Sequence, residues 1–296
     1  MRCLSPVRIK DPHNEKEFIF VPCGKCWACQ ERKKDEWAVR VQWEVEHSAT
    51  SAYFITLTYR DENLPFLEDA YGKIPIVCKR DCQLFMKRLR KRNKQKIKYF
   101  LVSEYGPHTY RPHYHAIIIG LDKPEYIEAS WQLGNVLVSE VNQNRINYCC
   151  RYCIGIPDLP GYIKYRKEAH VFQLQSKGLG EGFITPEIVE YYTDDHTRNY
   201  VMQNGFKKAL PRYWERKIIE KAKFNGKESE RYKDTIRELR SYFKNCYHDK
   251  METAYQEKYE EEDKKAWKER RPSRKLQVMK HYEEKLWKQN KMRKDI

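Results

Sequence analysis

Nowhere in these 296 residues do about eighteen apolar residues run together, so no segment reads as a membrane span. The opening stretch MRCLSPVRIKDP lacks the apolar centre of a secretory signal, and a protein of the cytoplasm is expected. No internal repeat is visible. Without a secretory route the ten cysteines are not expected to pair as disulfides, so their spacing is read for metal ligation or packing. Acidic charge is in deficit, with 42 Asp and Glu against 58 Lys and Arg, a formal charge of +16. From about residue 226 glycine almost disappears and apolar residues become sparse, which predicts long, charged surface helices attached to one main domain.

Aromatic rings are not lacking: 22 tyrosines and 7 tryptophans are spread among the basic residues. Basic charge attracts phosphates and aromatic rings stack on bases, so single-stranded nucleic acid is the expected partner.

Local patterns give an element order. Residues 27–49 read as an amphipathic helix, 52–59 (AYFITLTY) as a strand, and DENLPF as a polar loop. From Lys79, Cys82, Phe85, Met86 and Leu89 recur at helical spacing beneath a basic face. Strands are predicted over 96–106 and through RPHYHAIIIG, joined as an antiparallel hairpin. A short helix ending at Gly134, a strand over 135–142 and a helix over 145–155 follow. After Pro186 the sequence reads as helical, including PEIVEYYTDDHTRNYVMQNG and PRYWERKIIEKAK. The expected fold is α+β, a central antiparallel sheet flanked by helices with an α-helical C-terminal extension.

Three constellations carry chemistry. His113 and His115 share one face of their strand, because side chains alternate with period two. Glu104, late in the preceding strand, can reach that face if the hairpin pairs as drawn. Two imidazoles and a carboxylate suit Mg²⁺ or Mn²⁺ acting as a Lewis acid on a phosphate. The plainer reading is a pair of exposed strand histidines beside an edge charge. Tyr148 and Tyr152, four apart on a predicted helix, lie on one face and can present two hydroxyls to one site; they also read as ordinary aromatics. Cys23, Cys26 and Cys29, with Cys3 upstream, can close a tetrahedral zinc site, bind an iron–sulfur cluster or stand as plain thiols.

The strand FITLTY, the paired-histidine strand preceded by a glutamate and the downstream Tyr-x-x-x-Tyr helix resemble the HUH endonucleases of rolling-circle replication. CGKCWAC, SEYGPHTYRPHYHAIIIG, Trp131-x-x-Gly134, NYCCRY and ALPRYWERK are similar to replication initiators of small icosahedral single-stranded DNA phages, the gokushovirus branch of the microviruses. The likeness spans roughly residues 1–220. It implies an HUH, ferredoxin-like core over 51–185, after a cysteine-bearing segment and first helix over 1–50 and before a helical, charged region over 186–296. It further implies His113, His115 and Glu104 as ligands of Mg²⁺ or Mn²⁺, and Tyr148 and Tyr152 as alternating nucleophiles. They would nick a phage replication origin through a 5′-phosphotyrosine link and rejoin the ends into a circle. A plasmid initiator or transposase of the same superfamily, and a non-catalytic single-stranded nucleic-acid-binding protein, are the rival readings.

Cys149, Cys150 and Cys153 stand where the family leads one to expect small aliphatic residues; they read as packing groups, with metal or redox chemistry as the other possibility for Cys150 and Cys153. Lys87, Arg88 and Lys91 form a solvated helix face or a DNA track. Arg111, Lys164 and Arg166 are candidate phosphate contacts. The charged C-terminal region is a candidate docking surface for a host helicase or polymerase, or a spacer.

Overall fold

The computed structural model of the protein describes residues 3, 7–11, 14–48, 51–69, 72–106, 108–152, 165–195 and 198–224. The C-terminal region read as charged helices, together with Lys164 and Cys153, lies outside the described residues apart from its start. By internal contacts the chain divides into two compact units. One comprises Lys34–Thr185 and Val201–Glu215; the other holds the described residues of Met1–Lys33, of Pro186–Tyr200 and from Arg216 on.

In the second unit Val7–Asp11 (β1) pairs antiparallel with Asn14–Val21 (β2), a hairpin not anticipated from the sequence. Trp27–Ser48 (α1) starts in this unit and runs on into the larger one as a continuous helix.

The larger unit is organised by a sheet. Ala52–Thr58 (β3) is followed by a small hairpin, Phe66–Asp69 (β4) with Gly72–Pro75 (β5), where a loop was expected. Lys79–Arg92 (α2), Lys98–Tyr105 (β6), Pro112–Ile119 (β7), Glu125–Ser130 (α3) and Val136–Glu140 (β8) come next. Gln143–Arg151 (α4) begins with the Asn142 side chain accepting the Arg145 N–H at 2.9 Å, an N-cap that satisfies one orphan donor. Gln173–Gln175 (β9) adds an edge strand.

The sheet order is β8-β3-β7-β6-β9, every neighbouring pair antiparallel. With α2 between β3 and β6, and α3 between β7 and β8, this is the split β-α-β-β-α-β arrangement of ferredoxin-like folds. The α+β expectation is met.

Alternation along the strands sorts residues to two faces. On one, Tyr114, Ala116 and Ile118 of β7 pack with Phe85, Met86 and Leu89 of α2 and with Ile127 and Trp131 around α3. Each of these fully buried α2 side chains contributes roughly 2 kcal/mol by leaving water. On the other, Ile117 and Ile119 pack with Ala38 and Val41 of α1 and Ile146, Cys149 and Cys150 of α4. Cys149 and Cys150 are fully buried there among apolar side chains.

Trp131 and Gly134 lock the end of β3. The Trp131 indole donates to the Thr58 carbonyl at 2.8 Å, and a Cβ on Gly134 would collide with that same carbonyl.

Pro186–Asp194 (α5) is helical as expected, but YVMQNG is not its continuation. Tyr200–Gln203 (β10) and Phe206–Ala209 (β11) form a hairpin around Asn204 and Gly205, whose φ values of 51° and 77° meet what a two-residue hairpin turn demands. The Asn-Gly pair overrides the helical look of its surroundings. Arg212–Phe224 (α6) closes the described chain. No helix among the described residues is long and apolar enough to cross a membrane.

Candidate metal and nucleophile site

The register of three strands assembles the site. Pairing of β6 with β7 puts Glu104 directly opposite His113, and pairing of β3 with β7 puts Thr56 opposite His115 and Thr58 opposite His113. Directly opposed side chains have Cβ atoms about 5 Å apart, so these groups meet on one face.

They converge on one oxygen. Glu104 Oε2 lies 3.1 Å from His115 Nε2 and 3.3 Å from His113 Nε2. One ligand atom from each of the three residues falls within 4.8 Å of the others. The far nitrogens are also held: His113 Nδ1 is 3.2 Å from the Arg111 carbonyl, and His115 Nδ1 is 3.0 Å from Thr56 Oγ1. A carbonyl can only accept, so that contact keeps the His113 proton on Nδ1 and leaves the Nε2 lone pair of the neutral ring toward Glu104. Two neutral imidazole nitrogens and one carboxylate oxygen, aimed at a common point, fit a divalent cation that accepts mixed nitrogen and oxygen ligands.

Electrostatics set the protonation states. Burial is the largest single influence on Glu104 and would raise its pKa. Hydrogen bonds from His113, His115 and Tyr152 and the attraction of His113 together outweigh it, bringing the carboxyl down to about 2. Burial lowers the pKa of His115, against the opposing hydrogen bond to Glu104, which favours the neutral ring a metal needs.

The tyrosines stand over this cluster. Ile146, Cys149 and Cys150 fix α4 to the sheet, leaving Tyr148 and Tyr152 on the histidine side. The helix ends at Arg151 instead of running to 155; Tyr152 keeps helical dihedrals of −73° and −9°, so the two rings stay on one face. Tyr148 packs edge-on against His115 with ring centres 5.1 Å apart, and Tyr152 stacks on the same imidazole at 5.7 Å. The tyrosine rings themselves lie 5.0 Å apart. Tyr148 is half-buried, whereas Tyr152 is buried, with its hydroxyl donating to Glu104. Burial first, then the negative charge of Glu104, raises the pKa of the Tyr152 phenol.

Residues 52–155, which contain this whole constellation, match a family model of replication-associated proteins of the ORF2 type. The chain is 27% identical over 223 residues to the replication-associated protein ORF2 of Spiroplasma virus 4, covering 67% of each chain. It is a relative of viral replication-associated proteins. A second, the replication-associated protein VP4 of Bdellovibrio phage phiMH2K, is 26% identical over 247 residues, covering 73% of this chain and 76% of its own. No solved structure matches.

Other residues singled out in the sequence fall elsewhere on this relative of the replication-associated proteins. Lys87, Arg88 and Lys91 ride on α2, which packs on the opposite face of the sheet from the histidines, and Arg88 donates to the Ser130 carbonyl at 2.8 Å. The helical period that buries Phe85, Met86 and Leu89 turns the basic residues away from the site, so they are no track leading into it. Arg111 does sit beside His113, but its guanidinium is turned to Asp61, at 2.6 Å, and to the Tyr59 carbonyl, at 2.7 Å. Arg166 precedes the short 3₁₀ turn Lys167–Ala169. Cys3, Cys23, Cys26 and Cys29 do come together, with all four sulfurs within 4.8 Å of one another.

Sequence reading passed over Thr56 and Phe54. Both alternate on β3 toward the site, and the Phe54 ring stacks on His115 with centres 5.6 Å apart. The period-two spacing of Phe54, Thr56 and Thr58 in FITLT was the available signal, but it needed the partner strand to give it meaning.

Proposed function

We propose that the chain initiates replication of a single-stranded DNA genome by nicking and rejoining the strand at an origin, in the cytoplasm of a bacterial host. The observation that carries this reading is the convergence of Glu104, His113 and His115 beneath two tyrosines that both pack on the His115 ring. The replication-associated relatives and the basic, aromatic composition support it.

Glu104, His113 and His115 would hold Mg²⁺ or Mn²⁺. Bound there, the cation supplies Lewis-acid polarisation of the scissile phosphate, which lessens the demand on a weak phenol nucleophile. A tyrosine Oη forms a bond to phosphorus as the bond to the 3′ oxygen breaks, and the phenol proton ends on that oxygen. The products are a free 3′-OH and a 5′-phosphotyrosine. One phosphoester replaces another, so the reverse attack by a 3′-OH reseals a strand without an external energy source and restores the phenol. Two tyrosines allow a second cleavage while the first link persists.

Accessibility separates their roles. Tyr148 takes the first strand, and Tyr152, covered and bonded to Glu104, is the second nucleophile.

The test uses the purified protein with end-labelled single-stranded fragments of a cognate genome, in Mn²⁺ or in EDTA, on a denaturing gel. A cut that needs Mn²⁺, leaves protein on the 3′ fragment and vanishes in His113→Ala is the expected result. Tight binding with no covalent species on any fragment contradicts it and points to a non-catalytic binding protein.

A further inference from the structure

We propose that Cys3, Cys23, Cys26 and Cys29 bind one structural zinc ion that closes the N-terminal hairpin onto the first turn of α1. The inference goes beyond the nuclease reading and does not depend on it.

The sulfur geometry is the first argument. The four cysteines are free thiols with their sulfurs drawn to one point. Cys3 Sγ lies 3.6 Å from Cys23 Sγ and 3.8 Å from Cys26 Sγ. A thiolate tetrahedron with Zn–S near ~2.3 Å has edges of about 3.8 Å. An iron–sulfur cluster would hold its cysteines apart by its own width, because each ligates a different corner or pair of irons. Thiols gathered this closely around one centre fit a single tetrahedral ion.

The backbone supplies the second argument. Gly24 has a φ of 71°, a left-handed conformation that turns the chain sharply within Cys23-Gly-Lys-Cys26. That turn aims amide protons at sulfur: Cys26 N–H donates to Cys23 Sγ, and Cys23 N–H to Cys3 Sγ, each at 3.3 Å. Amides pointing at sulfur stabilise thiolate over thiol and are the outer support expected of a metal site.

The third argument is need. β1 and β2 form a two-stranded sheet with no third strand among the described residues, and Val7 and Ile9 stand 47% and 37% exposed. A lone hairpin of this size is marginal in water. Cys3 precedes β1, Cys23 follows β2, and Cys29 lies in the first turn of α1. One ion at that point clips both ends of the hairpin to the start of the helix, the kind of staple a small unit requires. With all four positions filled by protein the site has no open coordination position, so its role is structural.

The test takes the full chain, without an affinity tag that binds metal, purified under reducing conditions and dialysed against EDTA. Elemental analysis is expected to return about one zinc per chain, a quantity unchanged in His113→Ala and at least tenfold lower in Cys26→Ser/Cys29→Ser. Because unfolding of that double variant would lower zinc as well, the native chain carries a second readout. Zinc replaced by Co²⁺ is expected to give the visible and near-ultraviolet bands of tetrahedral thiolate cobalt. A native chain that is metal-free after growth with zinc and gives no such bands overturns the proposal, as does iron in place of zinc.

Discussion

The two faces of the central sheet each carry a group of buried tyrosines, and they differ in what their hydroxyls meet. On the α2 side Tyr105 donates to the Ala169 carbonyl at 2.9 Å and accepts from the Val77 amide at 3.0 Å. Tyr114 accepts from the Cys78 amide at 2.7 Å, and Tyr59 donates to Asp81 at 2.7 Å. Those hydroxyls complete the hydrogen bonding of loops, and burial pushes the Tyr105 phenol up to about 12. On the α4 side Tyr148 and Tyr152 pack on a histidine, and the Tyr152 hydroxyl bonds a carboxylate with two imidazoles. Burial alone does not distinguish a reactive tyrosine from a structural one; its partners do.

The largest effect that would sharpen this contrast is on covalent chemistry. Tyr148→Phe/Tyr152→Phe is expected to reduce DNA adduct by at least ~10³-fold, with binding of the same DNA within about twofold in a filter or anisotropy assay. Tyr148→Phe alone is expected to slow the first cleavage more than Tyr152→Phe does.

Next comes the pH dependence of stability in the metal-free protein. Glu104 has a folded pKa of about 2 against an ordinary value of 4.5, so the unfolded chain binds the proton more tightly. The ionised carboxylate therefore stabilises the fold above about 4.5, and that stabilisation is lost as pH falls toward 2. His115, lowered by burial, acts in the same direction below its ordinary range, since the unfolded state takes up the proton first. Glu104→Gln is expected to remove ~2 kcal/mol of this acid-sensitive stability, read from denaturant midpoints across pH.

Thr56→Val, which removes the oxygen beside His115 Nδ1, is expected to weaken Mn²⁺ binding about tenfold by calorimetry. On the other face Tyr114→Phe is expected to cost about 1 kcal/mol of stability and leave nicking unchanged. Smallest of all, Lys87→Ala/Lys91→Ala is expected to change cleavage by less than about twofold at fixed salt, because those residues lie on the far face from the histidines.

Much of this contrast is legible in the amino-acid sequence alone, and for a definite reason. Strand period places His113 and His115 together, and a hairpin with one register brings Glu104 to them. Helical period places Tyr148 and Tyr152 on one face, because four residues is close to one turn. What escapes such reading depends on contacts distant in sequence. Thr56 acquires its role only when β3 pairs with β7, and the basic face of α2 cannot be assigned to a side of the sheet from its own sequence. The β10–β11 hairpin is hidden for a local reason: helix-forming neighbours mask the Asn-Gly turn signal in YVMQNGFKKA.

The central claim is tested most directly by finding which atom carries DNA. The protein is incubated with cognate single-stranded DNA and Mn²⁺, digested with nuclease and protease, and its phosphorylated peptides are sequenced by mass spectrometry. The account predicts a residual nucleotide or phosphate on Tyr148 or Tyr152 and on none of the tyrosines of the α2 face. DNA attached at Tyr59, Tyr105 or Tyr114, or cleavage that persists undiminished without any tyrosine adduct, would contradict it.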